Sequence, residues 1–563
     1  MTRNETGLSS LRGEVFFSLC GIFAELPHIN GKESRSMKTE ILDTTLRDGA
    51  QGEGISFSVD DRLKIMKRLD TFGVTFIEAG NPASNPKELE FFRRAAEIPL
   101  KKSKLVAFGS TRRKDSSAED DAGIRALLSA NTEYIAVFGK SWLLHVDCIL
   151  SATPEENLNM ISDTVKYITE CGKHVIFDAE HFFDGWKDNP EYALSVLKTA
   201  EKAGAETIVL CDTNGGAFPD EITAAVSEAK KHIGTRLGIH AHNDCGCAAA
   251  NTLAAVRAGA EHVQGTFTGI GERCGNASLS TVIPDLQLKM HYDIVSGESL
   301  RHLTKTARFI SEVANVKLAA SAPYVGSSAF AHKGGMHTDG VAKNPKTFEH
   351  IAPDEVGNER NFLLSEVSGR TAVLSKLRLF EPSLDKNAPQ TKRIIEKLKA
   401  LEHEGLKFEA AGASFELMVL RELGRFKPFF EIVNFQVVSS QHGNEAEKAN
   451  ASIKIKVGDR YEITADEGDG PVNAIDRALR KALEVFYPVL RNMRLTDYKV
   501  RVISTGESTA ANTRVLIEST DGKNSWTTVA ASKDIIAASV AALVDSLEYM
   551  LLRAMPEKNK TDI

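Results

Sequence analysis

The sequence predicts an α/β protein: a (β/α)8 TIM barrel, then a helical subdomain, then a C-terminal α+β regulatory domain with an internal β-β-β-α repeat. Three observations lead to this prediction. Eight short β-rich runs in the first half of the chain alternate with amphipathic helical segments. A different order of strands and helices begins after the middle of the chain. The last two helical segments align at an offset of about 64 residues, which is the sign of an internal repeat.

The first half of the chain repeats one unit, a β-rich run followed by a helix. The runs begin roughly 25 to 40 residues apart, a spacing typical of strands in a parallel sheet. Eight such units in about 250 residues favour a closed barrel over an open, doubly wound sheet. In chain order the runs are EILDTT, VTFIEAG, KLVAFG, EYIAVFG, HVIFDAE, ETIVLCD, RLGIHAH and EHVQGTF. We therefore predict the barrel over residues 37–300.

The remaining residues divide into three further regions. Residues 1–36 precede the first strand, and we expect a disordered leader outside the fold. Residues 301–404 are polar and helical around a loop-like centre, which predicts a linker subdomain. Residues 405–555 contain three strands and a helix, followed by the same order again. A duplicated unit of this kind is expected to bind a regulator or a partner subunit, an expectation that rests on analogy.

The composition argues against several classes of protein. Of the 563 residues, 42% are hydrophobic and 26% charged, as in soluble globular proteins. Lys and Arg number 69 against 76 Asp and Glu, and the resulting net charge of −7 disfavours nucleic acid or an anionic membrane as a partner. Seven cysteines without a CxxC pair favour reduced thiols and a cytoplasmic location. The apolar segment 535–552 carries Asp545 and Glu548 at helical spacing, so we expect an amphipathic helix rather than a membrane span.

Polar side chains follow nearly every predicted strand of the barrel. In barrels of this kind, functional residues lie where the strands end on their carboxyl side, so we expect these side chains to meet at one mouth. They are Arg47 and Asp48 after the first strand, Glu180 at the end of the fifth, Asp212 and Thr213 after the sixth, His240 and His242 at the seventh, and Glu272 and Asn276 after the eighth.

The pair His240 and His242 gives the most specific signal. Residues two apart on a strand point to the same face, so both imidazoles can reach one cation. With a carboxylate oxygen of Asp48 they would form a two-histidine, one-carboxylate site with open positions for substrate. Two histidines that merely pack in a barrel mouth are the alternative. Their position opposite Asp48 favours the metal site.

Arg47 and Thr213 each have two interpretations. The Arg47 guanidinium can donate to a carbonyl oxygen on which negative charge develops, or it can form a structural salt bridge with Glu180, and both can hold together. The Thr213 hydroxyl can hold a substrate carboxylate or cap a helix. Outside the barrel, HKGGMHTDG carries His332, His337 and Asp339 among glycines. That segment suits a mobile general base, and a surface loop with incidental histidines is an equal alternative.

Three motifs carry a resemblance to a known family. LDTTLRDGAQ, HAHNDCGCAAANTLAAVRAGA and GIGERCGNASL resemble the metal-dependent barrel enzymes that condense or cleave acyl-CoA compounds, among them the 2-isopropylmalate, homocitrate and citramalate synthases and hydroxymethylglutaryl-CoA lyase. Other segments, such as FDAEHFFDGWKDNPEYAL and PYVGSSAFAHKGGMH, are similar to long-form (R)-citramalate synthases. The resemblance runs from about residue 38 to residue 552. It includes a C-terminal domain like that of isopropylmalate synthases, which a lyase lacks.

The resemblance implies an acyltransferase. It implies that acetyl-CoA, pyruvate and water give (R)-citramalate and CoA, on the pyruvate route to isoleucine. The alternative is the same chemistry on a larger 2-oxo acid, as in 2-isopropylmalate or homocitrate synthase. A rival of another class is a non-catalytic amino-acid sensor on an inactive barrel. The intact polar set at the strand ends argues against that rival.

The resemblance also implies roles for single residues. A divalent metal ion (Mn2+, Mg2+ or Zn2+) would be held by Asp48, His240, His242 and Asn276. Substrate groups would be bound by Arg47 at the keto oxygen and Thr213 at the carboxylate. The remaining catalytic residues would be Glu180, the base His337 and its orienting partner Asp339. The family often has Tyr at the position of Phe348, so any role for a phenolic hydroxyl at this position is in doubt for this chain. A homodimer or larger homo-oligomer is also implied. An amino-acid effector is expected on the C-terminal domain: isoleucine from the logic of the pathway, with leucine as the alternative.

Overall fold

A computed structural model describes residues 38–333, 335–362, 388–408, 411–440, 448–503, 511–522 and 524–555. The expected leader, residues 1–36, lies outside the described residues. The chain divides into two compact units. The first ends at Leu300 and also takes in Phe309–Val316, and the second comprises Arg301–Arg308 and the chain from Lys317 onward.

Eight parallel strands form a closed barrel in the order of the chain, as predicted. The barrel closes because β1 pairs with both β2 and β8, with Leu42 opposite Phe76 on one side and opposite Gln264 on the other. The strands are β1 (Glu40–Asp43), β2 (Phe76–Glu78), β3 (Lys104–Ser110), β4 (Tyr134–Lys140), β5 (His174–Glu180), β6 (Thr207–Asp212), β7 (Arg236–Ala241) and β8 (His262–Gly265).

Helices follow the strands along the chain. They are α1 (Val59–Phe72), α2 (Pro86–Ala95), α3 (Ala122–Ser129), α4 (Leu143–Cys148), α5 (Pro154–Glu170), α6 (Phe182–Asp188), α7 (Pro190–Ala203), α8 (Pro219–His232), α9 (Ala248–Arg257), α10 (Leu279–Pro284), α11 (Gly297–Leu300) and α12 (Leu303–Val313). Local sequence fixes their ends. Ser58 and Asp61 form a reciprocal capping box at the start of α1, and Gly73 ends it in the left-handed region, at φ +98°.

The barrel interior is filled by side chains rather than open. The buried cluster inside it consists of Leu42, Phe76, Val106, Tyr134, Ala136, Ile176, Val209 and Cys211. These residues come from six of the eight strands, so the interior is a packed core. A cavity lies beyond this core, at the carboxyl ends of the strands.

The segment that was predicted as a helical linker contains more than helices. A two-stranded parallel sheet pairs β9 (Ala331–His332) with β10 (Asn361–Phe362). Between them lies α13 (Gly335–Lys343), and α14 (Pro389–His403) follows later. The short sheet was not predicted because two-residue strands are too short to show periodicity in the sequence.

The C-terminal region has the duplicated order that the sequence predicts. After α15 (Gly412–Glu422), the antiparallel sheet β11 (Glu431–Ser440), β12 (Lys448–Val457), β13 (Arg460–Gly468) leads into α16 (Pro471–Glu484). The second sheet, β14 (Arg494–Val502), β15 (Thr513–Thr520), β16 (Ser525–Ser532), leads into α17 (Ile535–Ala554). The fold class is therefore confirmed in both the barrel and this domain.

Helix α17 is long and apolar enough to cross a membrane by length and composition. However, 61% of its most apolar 18-residue window is buried inside the protein. Its residues Leu547 and Leu551 belong to the main core of the C-terminal domain, together with Leu479 and Leu483 of α16. The helix therefore has the burial of a core helix in a folded domain.

Candidate active site

The carboxyl ends of the barrel strands surround a cavity of about 210 Å3. Seven of the nine side chains predicted at the mouth line this cavity, as the strand order requires. Asn276 reaches it by a hydrogen bond to Asp48, and the Asp212 carboxylate instead accepts hydrogen bonds from the backbone of Gly216 and Ala217. The lining residues are Arg47, Asp48, Gln51, Phe108, Phe138, Asp178, Glu180, Cys211, Thr213, His240, His242 and Glu272.

Asp48, His240 and His242 converge on one point of this cavity. The Asp48 Oδ2 atom lies 3.4 Å from Nε2 of His240 and 3.6 Å from Nε2 of His242. All three side chains are buried, and their ligand atoms lie within 4.8 Å of one another. Burial acts to raise the pKa of Asp48, but the Arg47 guanidinium and the imidazoles bring it well below its usual range. Burial lowers the pKa of His240, which favours the neutral ring that a metal requires.

A hydrogen-bonded chain behind His240 fixes its ring. Nδ1 of His240 lies 3.0 Å from Oε1 of Gln264, whose amide Nε2 donates to Asp178 at 2.9 Å. With a carbonyl oxygen as its partner, Nδ1 is assigned the proton in the neutral ring, so that the Nε2 lone pair is available to a cation shared with Asp48. Partners of this kind orient metal-binding histidines in general.

Asn276 joins the site through a short bridge between chain segments. It pairs with His242 as an isolated β-bridge, and its Nδ2 donates to Asp48 Oδ1 at 3.0 Å. A Cβ atom on Gly271 would lie 2.2 Å from that nitrogen, so only glycine permits this approach. Within the described residues, Oδ1 of Asn276 is buried without a hydrogen-bond partner. An unpartnered oxygen beside two imidazoles and a carboxylate fits a mixed nitrogen and oxygen cation site.

Arg47 is held from two sides, but not by the partner considered from the sequence. Its Nε donates to Glu78 at 2.6 Å, and its Nη1 donates to Asp48 at 2.9 Å. The guanidinium also lies 3.9 Å over the ring of Phe108. The structural salt bridge to Glu180 considered above is therefore wrong, because β2 neighbours β1 and brings Glu78 closer than β5 brings Glu180. The two carboxylates outweigh burial and raise the pKa of Arg47.

Glu180 pairs with Lys140 instead. The two residues are opposite each other in the register of β4 and β5, so their side chains meet at the rim of the cavity. Two positions earlier on β5, Asp178 lies on the same face and is buried. Burial, followed by the charge of Glu78, raises the pKa of Asp178 to about 8. The carboxyl groups around this cavity therefore have unequal proton affinities.

Thr213 does not cap a helix. Its hydroxyl accepts a hydrogen bond from the backbone N–H of His181 at 2.9 Å, while α8 begins only at Pro219. The helix-cap interpretation is wrong because the loop after β6 runs on for several residues before α8. The contact joins the loops after β5 and β6 and leaves the hydroxyl proton of Thr213 available to a ligand at the cavity.

His337 and Asp339 lie in the second unit, on α13. The His337 ring stacks on Phe348, and Asp339 pairs with Lys343 at 2.6 Å. Residues two apart on a helix project in different directions, so Asp339 does not face His337 within α13. The roles of both residues remain predictions.

Several residues of the site were missed in the sequence analysis. Glu78, Lys140 and Asp178 all lie at or near the carboxyl end of a strand, where the same positional rule would have found them. The partners of an arginine or histidine across neighbouring strands, such as Glu78 and Gln264, depend on barrel register. Phe108 and Phe138 read as ordinary core residues in the sequence, although both line the cavity.

Family comparisons match three consecutive parts of the chain. The HMGL-like family matches residues 38–310, the homocitrate synthase post-HMGL domain-like family matches 324–405, and the LeuA allosteric (dimerisation) domain matches 409–551. The (R)-citramalate synthase of Aquifex aeolicus is 49% identical over 518 residues, which cover 92% of this chain and 98% of that protein. The chain belongs to the (R)-citramalate synthase family.

Two further relatives differ in how similar they are to this chain. The (R)-citramalate synthase of Synechocystis sp. is 50% identical over 91% of this chain and 96% of that protein. The 2-isopropylmalate synthase of Methanocaldococcus jannaschii is 32% identical over 91% of this chain and 95% of that protein. The similarity is thus markedly higher to citramalate synthases than to this isopropylmalate synthase. The C-terminal match identifies a domain class associated with dimerisation and allosteric control.

Proposed function

We propose that the chain catalyses the condensation of acetyl-CoA with pyruvate, with hydrolysis of the thioester, to give (R)-citramalate and CoA. The observation that carries the proposal is the identity of 49–50% to curated (R)-citramalate synthases over more than nine tenths of the chain, together with an intact polar cavity. The same reaction on a larger 2-oxo acid, as in 2-isopropylmalate synthase, is the alternative.

The site fits a divalent cation, and Asp48, His240, His242 and Asn276 would hold it. A bound cation would supply Lewis acidity to the carboxylate and keto oxygens of the 2-oxo acid and fix their orientation. Two nitrogen and two oxygen donors suit Mn2+, Mg2+ or Zn2+ to different degrees and do not select one.

Arg47 and Thr213 would orient the 2-oxo acid. Glu78 and Asp48 engage two N–H groups of Arg47 and hold its plane against Phe108. The remaining donors of the guanidinium can stabilise the oxyanion as the keto oxygen gains charge. The Thr213 hydroxyl, fixed by the His181 backbone, can donate to the substrate carboxylate.

The methyl proton of acetyl-CoA must be removed before the new carbon–carbon bond forms. A neutral imidazole is the usual general base near neutral pH, and His337 is our candidate. Glu180, which pairs with Lys140 at the cavity rim, offers a carboxylate to the reacting groups. In this proposal Asp339 acts on His337 only if α13 changes its local arrangement.

The aromatic wall of the cavity favours a small 2-oxo acid in this proposal. Phe108 and Phe138 stack with their ring centroids 5.4 Å apart along one side of it. The cavity, of about 210 Å3, is open on one side, and the aromatic pair forms part of its closed wall. Each extra methylene that fails to fit costs about 1–3 kcal/mol, so two aromatic rings at the wall discriminate against the isopropyl group of 2-oxoisovalerate.

The proposal is tested by following CoA thiol release from acetyl-CoA by the purified protein. Pyruvate, 2-oxobutyrate, 2-oxoisovalerate and 2-oxoglutarate are compared at equal concentration with Mn2+ or Mg2+, and with EDTA as control. We expect fastest release with pyruvate and none with EDTA. A preference for 2-oxoisovalerate would move the protein to the alternative function, and no release with any acid would reject catalysis.

We also propose that isoleucine regulates a dimer or larger homo-oligomer through the C-terminal domain. That domain contains a cavity of about 660 Å3 beside the start of α16. Arg480 and Asp476 pair there at 2.8 Å, and Val472, Leu495 and Met493 add apolar wall. Charged and apolar groups together suit an α-amino acid. Titration calorimetry with isoleucine, leucine and valine tests this proposal, and equal binding of all three would reject isoleucine as the effector.

A further inference from the structure

The imidazole of His337 lies flat against an aromatic ring. Its ring centroid is 4.1 Å from that of Phe348, and the two planes differ by 21°. His337 is exposed, and Phe348 itself is 41% exposed, so burial in a core does not hold either ring. The stack on Phe348 therefore restricts the orientation of the exposed His337 side chain.

Helix α13 is shaped to receive Phe348. Gly340 lies three residues after His337, on the same face of the helix. A Cβ atom at Gly340 would lie 2.5 Å from Cε2 and 3.0 Å from Cδ2 of the Phe348 ring. Any other residue at position 340 would push the ring away from the helix. The glycine thus permits the close approach that places Phe348 under His337.

The residue after Phe348 is a buried carboxylate paired with the partly exposed Arg360. Glu349 is 8% exposed and accepts two hydrogen bonds from Arg360, each of 2.6 Å. Its Oε1 is also 3.0 Å from Nε2 of His332. His332 lies in β9, just before α13, and Arg360 lies just before β10. Glu349 therefore ties together the two chain ends that flank the segment carrying His337 and Phe348.

We infer that Phe348 and Glu349 are positioning residues for His337: the phenyl ring fixes the plane of the imidazole, and the Glu349–Arg360–His332 network fixes the phenyl ring. The inference rests on the proposed function, since it takes His337 as the base that removes the methyl proton. Because Phe348 has no hydroxyl, its contribution comes from its ring alone. A misplaced base slows proton transfer, while binding of pyruvate depends on groups in the barrel.

Substitutions of the ring test the inference on the full-length protein. Phe348→Leu removes the aromatic face and Phe348→Tyr keeps it. We expect F348L to lower kcat at least about tenfold with little change in KM for pyruvate, as expected for a misplaced catalytic group, and F348Y to restore kcat to within about twofold. Gly340→Ala should resemble F348L, and Glu349→Gln should lower kcat by a smaller factor. Met336→Ala, at an 80% exposed position of the same helix, is the matched control and should change neither constant.

A second measurement reports on the stack without activity. Diethyl pyrocarbonate modifies exposed imidazoles, and peptide mass spectrometry gives the rate at His337. We expect faster modification in F348L and G340A than in the wild type or F348Y. Circular dichroism and thermal unfolding of each variant establish that it is folded.

The outcomes separate this inference from the proposed function. If His337→Asn loses activity while F348L keeps the wild-type kcat and modification rate, the positioning role is wrong and the base assignment stands. If H337N keeps full activity, both the base assignment and the positioning role are wrong. Absence of CoA release by the wild type with every 2-oxo acid would reject the proposed function itself.

Discussion

The two ends of the barrel use the same kinds of charged side chain to opposite effect. At the amino ends of the strands, nitrogen-bearing side chains (Lys, Arg and His) alternate with acidic ones around the rim, each within 4.0 Å of its neighbours. The chain runs Lys104, Glu133, His174, Glu206, Arg236, Glu40 and His262. At the carboxyl ends, four carboxyl groups share two cationic partners, Arg47 and Lys140. The four are those of Asp48, Glu78, Asp178 and Glu180.

Burial separates these two arrangements further. Six of the seven side chains at the amino end are 26–55% exposed and His262 is buried, whereas Asp48 is 2% exposed and Glu78 fully buried at the carboxyl end. Exposed pairs are screened by water and contribute little each. Among the buried carboxyl groups of the carboxyl end, burial and then the charge of Glu78 raise the pKa of Asp178, whereas Arg47 and the imidazoles keep the pKa of Asp48 low. The comparison teaches that the proposed site lies where charged groups are buried and unevenly paired, not where charged residues are most numerous.

The largest expected effect is at the cation site. Asp48→Asn keeps the shape of the side chain but removes its charge and weakens binding of a divalent cation. We expect kcat to fall by more than about 100-fold, beyond what loss of a supporting contact causes. Activity and bound Mn2+ are measured on the same preparation. Retention of both would show that this end of the barrel does not work through Asp48.

A smaller effect is expected from the residue that holds Arg47. Glu78→Gln leaves the buried guanidinium with one carboxylate partner, Asp48. We expect kcat to fall about 10- to 100-fold through misorientation of Arg47. The folded protein should also lose up to about 3–5 kcal/mol, the usual cost of breaking a buried ion pair. An unchanged kcat at wild-type Mn2+ content would show that the orientation of Arg47 by Glu78 does not matter for the catalytic step.

The raised pKa of Asp178 predicts a pH dependence of stability. Its carboxyl group stays protonated in the folded protein up to about pH 8, but ionises near its usual, lower pKa once the protein unfolds. The folded state then binds more protons, so stability falls as pH rises from about 4 to about 8 and levels off above that. In Asp178→Asn this contribution disappears. Urea unfolding of the metal-free proteins at pH 5, 6.5 and 8 should show a smaller decline for D178N, and parallel declines would contradict the raised pKa.

The smallest effect is expected at the amino end of the barrel. Glu206→Gln removes the 2.7 Å contact with His174, where both side chains are more than a third exposed. We expect a loss of less than about 1 kcal/mol, further reduced by salt, and no change in kcat. A large drop in kcat from this substitution would contradict the expectation that the amino end of the barrel takes no part in catalysis.

The barrel was predictable from the sequence because its strands and helices differ in period and alternate regularly. The mouth followed from the same pattern, since Asp48, His240 and His242 each stand at the end of a predicted strand. Two contacts of the site could not be predicted because they depend on the register between strands. Glu78 rather than Glu180 reaches Arg47, and Gln264 reaches His240. The short sheet of β9 and β10 was hidden for another reason, because pairing of two residues leaves no pattern along the chain.

The duplicated C-terminal domain has a consequence for how it unfolds. Its main core joins Ile475 and Leu479 of the first repeat with Trp526 and Leu547 of the second. Neither repeat can therefore keep its apolar surface covered without the other. The two halves should melt in a single cooperative transition, and a fragment ending after the first helix should aggregate rather than fold. An effector held at the edge of α16 would thus stabilise both halves at once, and could not loosen one of them alone.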